Sequence, residues 1–453
     1  PPPTRLSDPI ESVIQVGNIT VNAVEFTRAP RTEDQVSSGF LNNPATRIQY
    51  MQQVGERYFF NDTRGVLWVL DGPGAEPASY LDLRIEGVGF SADQFPQEAG
   101  FMGFAFHPAF EAIGAEGYGK FYTTFSATPD GTANFIEASD SVQESVLYEW
   151  TVEDSAASSF VGEQREMLRI GQFASNHNIG NVAFNPTATQ GTPDYGMLYI
   201  GLGDGGGAND PNEHGQNPNS ILGTIIRIDP LAGGADAEYG IPNDNPFADG
   251  QDGLPEVWAY GLRHPQHFSW DTADGRMFLL DIGQDQIEEV NLGVAGGNFG
   301  WRIREGTFAT AFGVSTGDDP GGVYARESAG AGLIYPVAQY DHDEGFAIGS
   351  GFVYRGSDIE ALVGMYVFTD IVRGRVFYID TANLEPDNPT TIFELNIEVD
   401  GETGSIVDIA GHRNTSGHPN QARRVDLRVS VDTSGELYIL AKGDGVIRKL
   451  QSL

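Results

Sequence analysis

His177 lies in the stretch FASNHNIGNVAF, residues 173–184, between Asn176 and Asn178 and just ahead of the apolar run Val182-Ala183-Phe184. Histidine exchanges a proton near neutral pH, so one held in a polar collar at the mouth of a strand suits general-base work. The two asparagines are placed to orient its ring. A second polar stretch, YGLRHPQHF, sets Arg263 beside His264 ahead of another apolar run. A guanidinium there can stabilise a developing negative charge or pin a loop through its carbonyl oxygens. Two acid-bearing turns complete the set. GLGDGGGAND holds Asp204 and Asp210, and DIGQDQIEEVN holds Asp281 and Asp285. Carboxylates beside exposed carbonyls suit calcium, a hard cation, and tight turns explain the same residues equally well. The glycine-rich turn is not a phosphate cradle, because it lacks a following helix and a P-loop lysine.

Composition narrows the chemistry. The 453 residues carry 63 acidic and 26 basic side chains, a net charge of −37. Nucleic acid and anionic membrane surfaces are therefore poor partners. The absence of cysteine excludes disulfides, thiolate zinc sites and haem attachment through CxxCH. No apolar run approaches the ~20 residues that span a bilayer, so membrane insertion is not expected. The chain opens PPPTRLSDPI, without Met or an apolar signal segment. This suits the mature form of a periplasmic or extracellular protein after signal removal. There is no GxSxG elbow, HExxH or EF-hand loop. Carboxylate pairs are too numerous to single out a glycosidase. Nothing in the pattern fixes an oligomeric state.

The elements that position these residues repeat. A short strand with an aromatic or leucine centre, a turn and a second apolar strand recur six times, centred on Phe59, Phe121, Leu198, Phe278, Tyr366 and Leu437. Most copies are preceded by a further strand, as in FMGFAFHP, NVAFNP, HFSWDTADG, GSGFVYRG and LRVSVDTSG. The copies lie roughly 60–90 residues apart, more than the ~40–50 of a usual propeller blade, so the loops are long. The high glycine count of 58 and 11% aromatics fit many short strands joined by turns. The expected fold is all-β, a six-bladed β-propeller of four-stranded antiparallel blades with long loops on one face. It forms a single domain over residues 1–453, with an N-terminal extension over 1–18 and the blade core from about 19. The strand ITVNAVEF from Ile19 completes the last blade.

In such a ring, the starts of the first strands and the ends of the second strands surround one mouth. Glu98, Asn176, His177, Arg263, His264, Arg423 and Arg424 are expected there from the first positions. Asp62, Asp204, Gln284, Asp285, Asp370, Arg373 and Lys442 are expected from the second. Charges of both signs thus collect where an inert hub needs none.

The motifs GFMGFAFHPAF, NHNIGNVAF, LYIGLGDGGGANDP, ILGTIIRIDP, PEVWAYGLRHPQHFSWD, DIGQDQIEEVNLG and GGNFGWRIREG follow in order. Over about residues 95 to 445 the chain resembles the soluble pyrroloquinoline quinone (PQQ) dependent glucose/sorbosone dehydrogenases. The resemblance implies an exported enzyme that oxidises aldose sugars at the anomeric carbon and passes electrons to an external acceptor. It implies PQQ and calcium as cofactors. His177 matches the base that takes the anomeric hydroxyl proton, and Arg263 matches the arginine that steadies charge on the quinone. Glu98, Asn176, His264, Arg373 and Arg424 are the implied PQQ contacts. Gly283 and Gln284, through their carbonyls, and Asp281 are the implied calcium donors, with Asp204 and Asp210 as further candidates. The chain departs from the pattern where the family has glutamine and this sequence has Glu98, and where asparagine becomes His264. The family's basic anchors fall on Val372 and near Val425 and Leu427, with Arg373, Arg424 and Arg428 out of register. Those departures favour two alternatives. One is a PQQ-less relative acting as a calcium-dependent carbohydrate lyase, isomerase or hydrolase. The other is a binding propeller without catalysis.

Overall fold

The computed structural model describes residues 4–32, 44–92, 95, 98–137, 140–233, 237–314, 321–325, 332–399, 401–404, 406–410 and 425–453. The fold is all-β, as its turn-punctuated apolar runs require. Among the described residues the only helical pieces are Ile406–Ile409 and the 3-10 turn Glu360–Leu362. No helix there is long and apolar enough to cross a membrane.

Antiparallel runs of four strands follow one another along the chain. The first is Ile48–Val54, Arg57–Asp62, Val66–Leu70 and Ala78–Asp82. The next begins with Phe101–Phe106 and Lys120–Ala127, and gains a fifth strand from Phe135–Ile136. Ile179–Phe184 and Leu198–Leu202 open the third, and His267–Trp270 and Met277–Asp281 the fourth. Ile348–Val353 opens the fifth, which ends at Phe393–Val399. The last run joins Leu427–Val431, Leu437–Ala441 and Val446–Ser452 to the first strand of the chain, Gln15–Arg28. The N-terminal strand therefore completes the last run, as its sequence suggests, with Val24 opposite Lys449. It starts at Gln15 rather than Ile19, because Gln15 and Val16 also pair in parallel with Phe393 and Glu394. That second pairing fuses the last two runs into one nine-stranded sheet.

The opening strands pack one against the next in chain order, and Leu427–Val431 returns against Ile48–Val54. This arrangement is propeller-like. The six repeat centres all lie in second strands and are fully buried. Phe278 stacks on Tyr366 at 4.4 Å and Phe106 on Phe121 at 5.2 Å. Strands such as Phe101–Phe106 are buried on both faces, because each run is sandwiched between neighbours.

Two devices aim residues at the ends of these strands. Register shifts between first and second strands recur at Ile48/Met51, Phe101/Gly103, Ile179/Val182 and Ile348/Gly351. A bulge bends the strand and redirects the side chains beside it. The second device is a buried acid ending the second strand. Asp62 accepts the N–H of Arg47, Asp281 those of Arg263 and His264, and Asp370 those of Phe346 and Ala347. Each acid holds the loop that leads into the first strand of its own run.

One feature is not evident from the repeat. Between Ile287–Leu292 and Ala338–Asp341 the chain inserts a three-stranded sheet of Arg304–Glu305, Phe308–Thr310 and Val323–Tyr324. The strands are too short to carry a periodic signal.

Truncating Phe278 to alanine would open a cavity between two runs. The expected loss is about 3–5 kcal/mol, read from urea denaturation. A loss under about 1 kcal/mol would show that the interface is not packed as described.

Candidate active site

His177 occupies the turn entering Ile179–Phe184, with a backbone φ of 52°. That left-handed conformation costs a non-glycine residue on the order of 1 kcal/mol and persists where surroundings enforce it. Its N–H donates to Glu98 Oε2 at 2.9 Å, and its ring Nδ1 lies 2.6 Å from Asp204 Oδ1. Gly203 runs so close that a Cβ there would sit 2.4 Å from the His177 carbonyl oxygen. The histidine is buried in this cradle.

Asp204 is buried too. Its Oδ1 also accepts the Gly206 N–H at 3.0 Å, and Oδ2 accepts the Trp301 indole N–H at 2.8 Å. Burial alone would raise its pKa, but His177 and then Arg263 outweigh burial and hold the carboxyl below its ordinary range. An ionised carboxylate only accepts, so Nδ1 carries a proton toward Asp204, and in the neutral ring the lone pair is on Nε2. Asp204 thus orients the ring, a role the sequence reading gave to the asparagines. Asn178 instead donates to the Glu98 and Ser175 carbonyls at 2.9 Å each. The Asn176 amide oxygen lies against Gly206, where a Cβ would approach it to 2.2 Å.

Asp281 fixes the neighbouring loop by accepting the Arg263 N–H at 2.9 Å and the His264 N–H at 2.7 Å. Arg263 extends its guanidinium to the carbonyls of Ile282 and Gly283, at 3.1 and 2.8 Å, and lies 5.7 Å from the Trp301 ring centre. Its Nε is buried without a hydrogen-bond partner. The His264 ring meets His177 edge-on at 5.0 Å. Its Nδ1 is 3.3 Å from Glu98 Oε2, and its Nε2 is buried without a partner. Burial pulls the His264 pKa down against the pull of Glu98, so the ring is neutral and Nδ1–H donates to the carboxylate. Burial would raise Glu98, but its bonds to His264 and the His177 backbone hold it well below the usual carboxylate range.

The structure therefore gathers Glu98, Asn176, His177, Asp204, Arg263 and His264. Several of the expected calcium donors have other partners. The Gly283 carbonyl is an acceptor of Arg263. Gln284, Asp285, Gln286 and Ile287 all point their N–H groups at Glu305 Oε1, at 2.8 to 3.1 Å. The Gln284 amide pairs with Asn209. Arg302 donates to the carbonyls of Asn209 and Asp210 at 3.1 and 2.9 Å, while the Asp210 carboxylate takes the His214 and Gly215 N–H groups. Guanidinium groups thus stand at both carbonyl sets, and a dication ~2.3–2.6 Å from the same oxygens would face a fixed positive charge. The Gly283 and Asp210 carbonyls as arranged do not fit calcium. Arg373 stacks on Phe346 at 4.6 Å and makes no bond to the His177 cluster among the described residues. Arg423 and Arg424 lie outside the described residues.

Trp301 and Glu305 were not singled out from sequence. Both come from the segment around the inserted sheet, in the motif GGNFGWRIREG, and nothing in their spacing announces that Trp301 holds Asp204 or that Glu305 shapes a loop.

A family model described as Glucose / Sorbosone dehydrogenase matches residues 52–398. The HIPL1 protein of Arabidopsis thaliana is 29% identical over 395 residues, 75% of this chain and 53% of its own length. The Hedgehog-interacting protein of Mus musculus is 26% identical, covering 74% of this chain and 42% of its own. The chain thus spans about half the length of the curated relatives it matches. The PQQ-bound aldose sugar dehydrogenase of Streptomyces coelicolor superposes with a TM-score of 0.57 at 18% identity, over 92% of this chain and 96% of that one. The sequence resemblance to the family holds.

Behind the Arg263 loop lies Glu289, whose pKa burial raises from 4.5 to about 7. The folded chain keeps a proton there that the unfolded chain has lost. This group's contribution to stability is therefore complete below pH 4.5 and is lost as pH rises through about 7. Glu289→Gln should flatten the urea midpoint across that window. An unchanged slope would place the proton elsewhere.

Proposed function

The chain belongs to the glucose/sorbosone dehydrogenase family, and from that premise we propose that its mouth oxidises aldose sugars at the anomeric carbon with PQQ as cofactor. The observation that carries the reading is the His177–Asp204 pair at 2.6 Å, which in the neutral imidazole makes Nε2 the base. Nε2 takes the anomeric hydroxyl proton, and Asp204 steadies the imidazolium that forms. Trp301 keeps Asp204 from turning away. Arg263 offers a buried Nε–H without an acceptor, a donor suited to negative charge developing on an oxygen.

The same orphaned donor is the fit test for an anionic quinone. Arg263, with a buried unpartnered Nε–H, is arranged to receive one beside His177. Asn176 would line the same wall, with Arg373 and Arg424 as the outlying anchors. PQQ, when bound, accepts the hydride from the sugar, and an external carrier takes the electrons onward. These steps call on no calcium, and two of its expected donors, the Gly283 and Asp210 carbonyls, are held by Arg263 and Arg302.

The return of the last opening strand against the first supports six blades, and the succession of packed opening strands among the described residues supports one domain. A second reading is favoured by Glu98, an anion where a tricarboxylate cofactor would approach. It is a PQQ-less relative whose mouth serves other carbohydrate chemistry or recognition.

PQQ titrated into the purified protein, with and without added calcium, decides between the two. Stoichiometric binding, followed by dye-linked sugar oxidation, is expected. His177→Asn should then lower kcat by about 10²–10⁴-fold with little change in PQQ affinity. No binding at micromolar PQQ would sink the dehydrogenase reading.

A further inference from the structure

Two histidines and a glutamate meet at the mouth in a way that general-base chemistry does not require. One donor atom from each of Glu98, His177 and His264 lies within 4.8 Å of the other two. His177 is held at Nδ1 by the Asp204 carboxylate at 2.6 Å, and His264 presents Nδ1 to Glu98 Oε2 at 3.3 Å. The Asp204 bond keeps the ring proton of neutral His177 on Nδ1 and its lone pair on Nε2, the support that metal-ligating histidines receive. At His264 a metal would take the place of the Nδ1 proton between the ring and Glu98. The His264 Nε2 is buried with no hydrogen-bond partner, and His264 is only 1% exposed. Glu98 spends Oε2 on His264 and the His177 N–H, and Oε1 accepts no bond among the described residues.

We propose that Glu98, His177 and His264 form a binding site for a transition-metal dication of the zinc type. Two imidazole nitrogens and one carboxylate oxygen are a zinc-type donor set, and three protein ligands leave a fourth position for water or a sugar hydroxyl. The nitrogens select against calcium, which prefers oxygen. The 3.3 Å between His264 Nδ1 and Glu98 Oε2 shows how near the carboxylate already stands. Asp204 belongs to the site as the group that positions His177, and Trp301 fixes Asp204 in turn. The metal takes the same Nε2 lone pair as the proposed base, so metal and sugar oxidation exclude each other. Metal binding stands on the geometry alone. The inhibitory consequence rests on the dehydrogenase reading.

The test uses the full chain, stripped with chelator and free of PQQ and sugar. Cobalt(II) is titrated by visible absorption, and zinc by equilibrium dialysis. One tight equivalent with a tetrahedral or five-coordinate cobalt spectrum is expected. His264→Asn and Glu98→Gln should each weaken zinc binding by at least about 100-fold. Asp8→Asn, in a separate oxygen-only cluster with Asp341 and Asp343, should leave it unchanged. Should a variant fail to fold, cobalt-loaded wild type still decides the matter. Two hyperfine-shifted exchangeable imidazole N–H protons are expected, one from His177 Nδ1 and one from His264 Nε2. No cobalt binding, affinity insensitive to both substitutions, or no shifted imidazole protons would overturn the proposal. A failed PQQ titration alongside cobalt binding would overturn only the dehydrogenase reading. PQQ binding without cobalt binding would overturn only this one.

Discussion

The active-site geometry depends on buried carboxylates that accept backbone and ring N–H groups. Asp281 holds the amides of Arg263 and His264, and Asp204 holds the ring of His177. A buried carboxyl group accepting such bonds is held in one orientation, whether its pKa is lowered as at Asp204 or pushed well up by burial as at Asp281. Losing one would leave charged or polar groups buried without partners, which costs more than a surface bond does. These few acids therefore set the positions of the chemistry-bearing side chains more firmly than loop packing would.

The repeat supplies the acids. Each second strand ends near the mouth, and the acid at its end reaches the loop that enters the adjacent first strand. Asp62 and Asp370 do this in places with no evident chemistry. Asp281 does the same where Arg263 and His264 happen to be the residues held. A structural habit of the repeat has thus become the scaffold of a site. The bulges in four first strands and the left-handed turn at His177 work in the same direction, by redirecting backbone where an unbent ladder would run on.

Arginine changes what the loops can do. Arg263 and Arg302 each bind a pair of carbonyls, and those carbonyls are the ones best suited to a hard cation. A guanidinium is a fixed charge with several donors, so it satisfies the oxygens that calcium would otherwise bridge. The mouth keeps its nitrogen donors, by contrast, and they cluster around Glu98. The preference of the mouth shifts from oxygen-loving cations toward nitrogen-loving ones.

By itself the sequence determined the all-β class, the recurring strand pairs and the residues able to do acid–base work. Those features rest on local apolar patterning, turn chemistry and residue type, which are written along the chain. It also pointed to the strand from Ile19 as the one that completes the last run. The tertiary structure decided which acid orients His177, that Trp301 and Glu305 join the site, and that arginines hold the calcium-like carbonyls. Each of those is a contact between segments 18 to 97 residues apart. Hydrogen bonds of this kind follow from where the strands are stacked and how their ends are bulged, and no periodicity in the chain encodes the distance between two side chains.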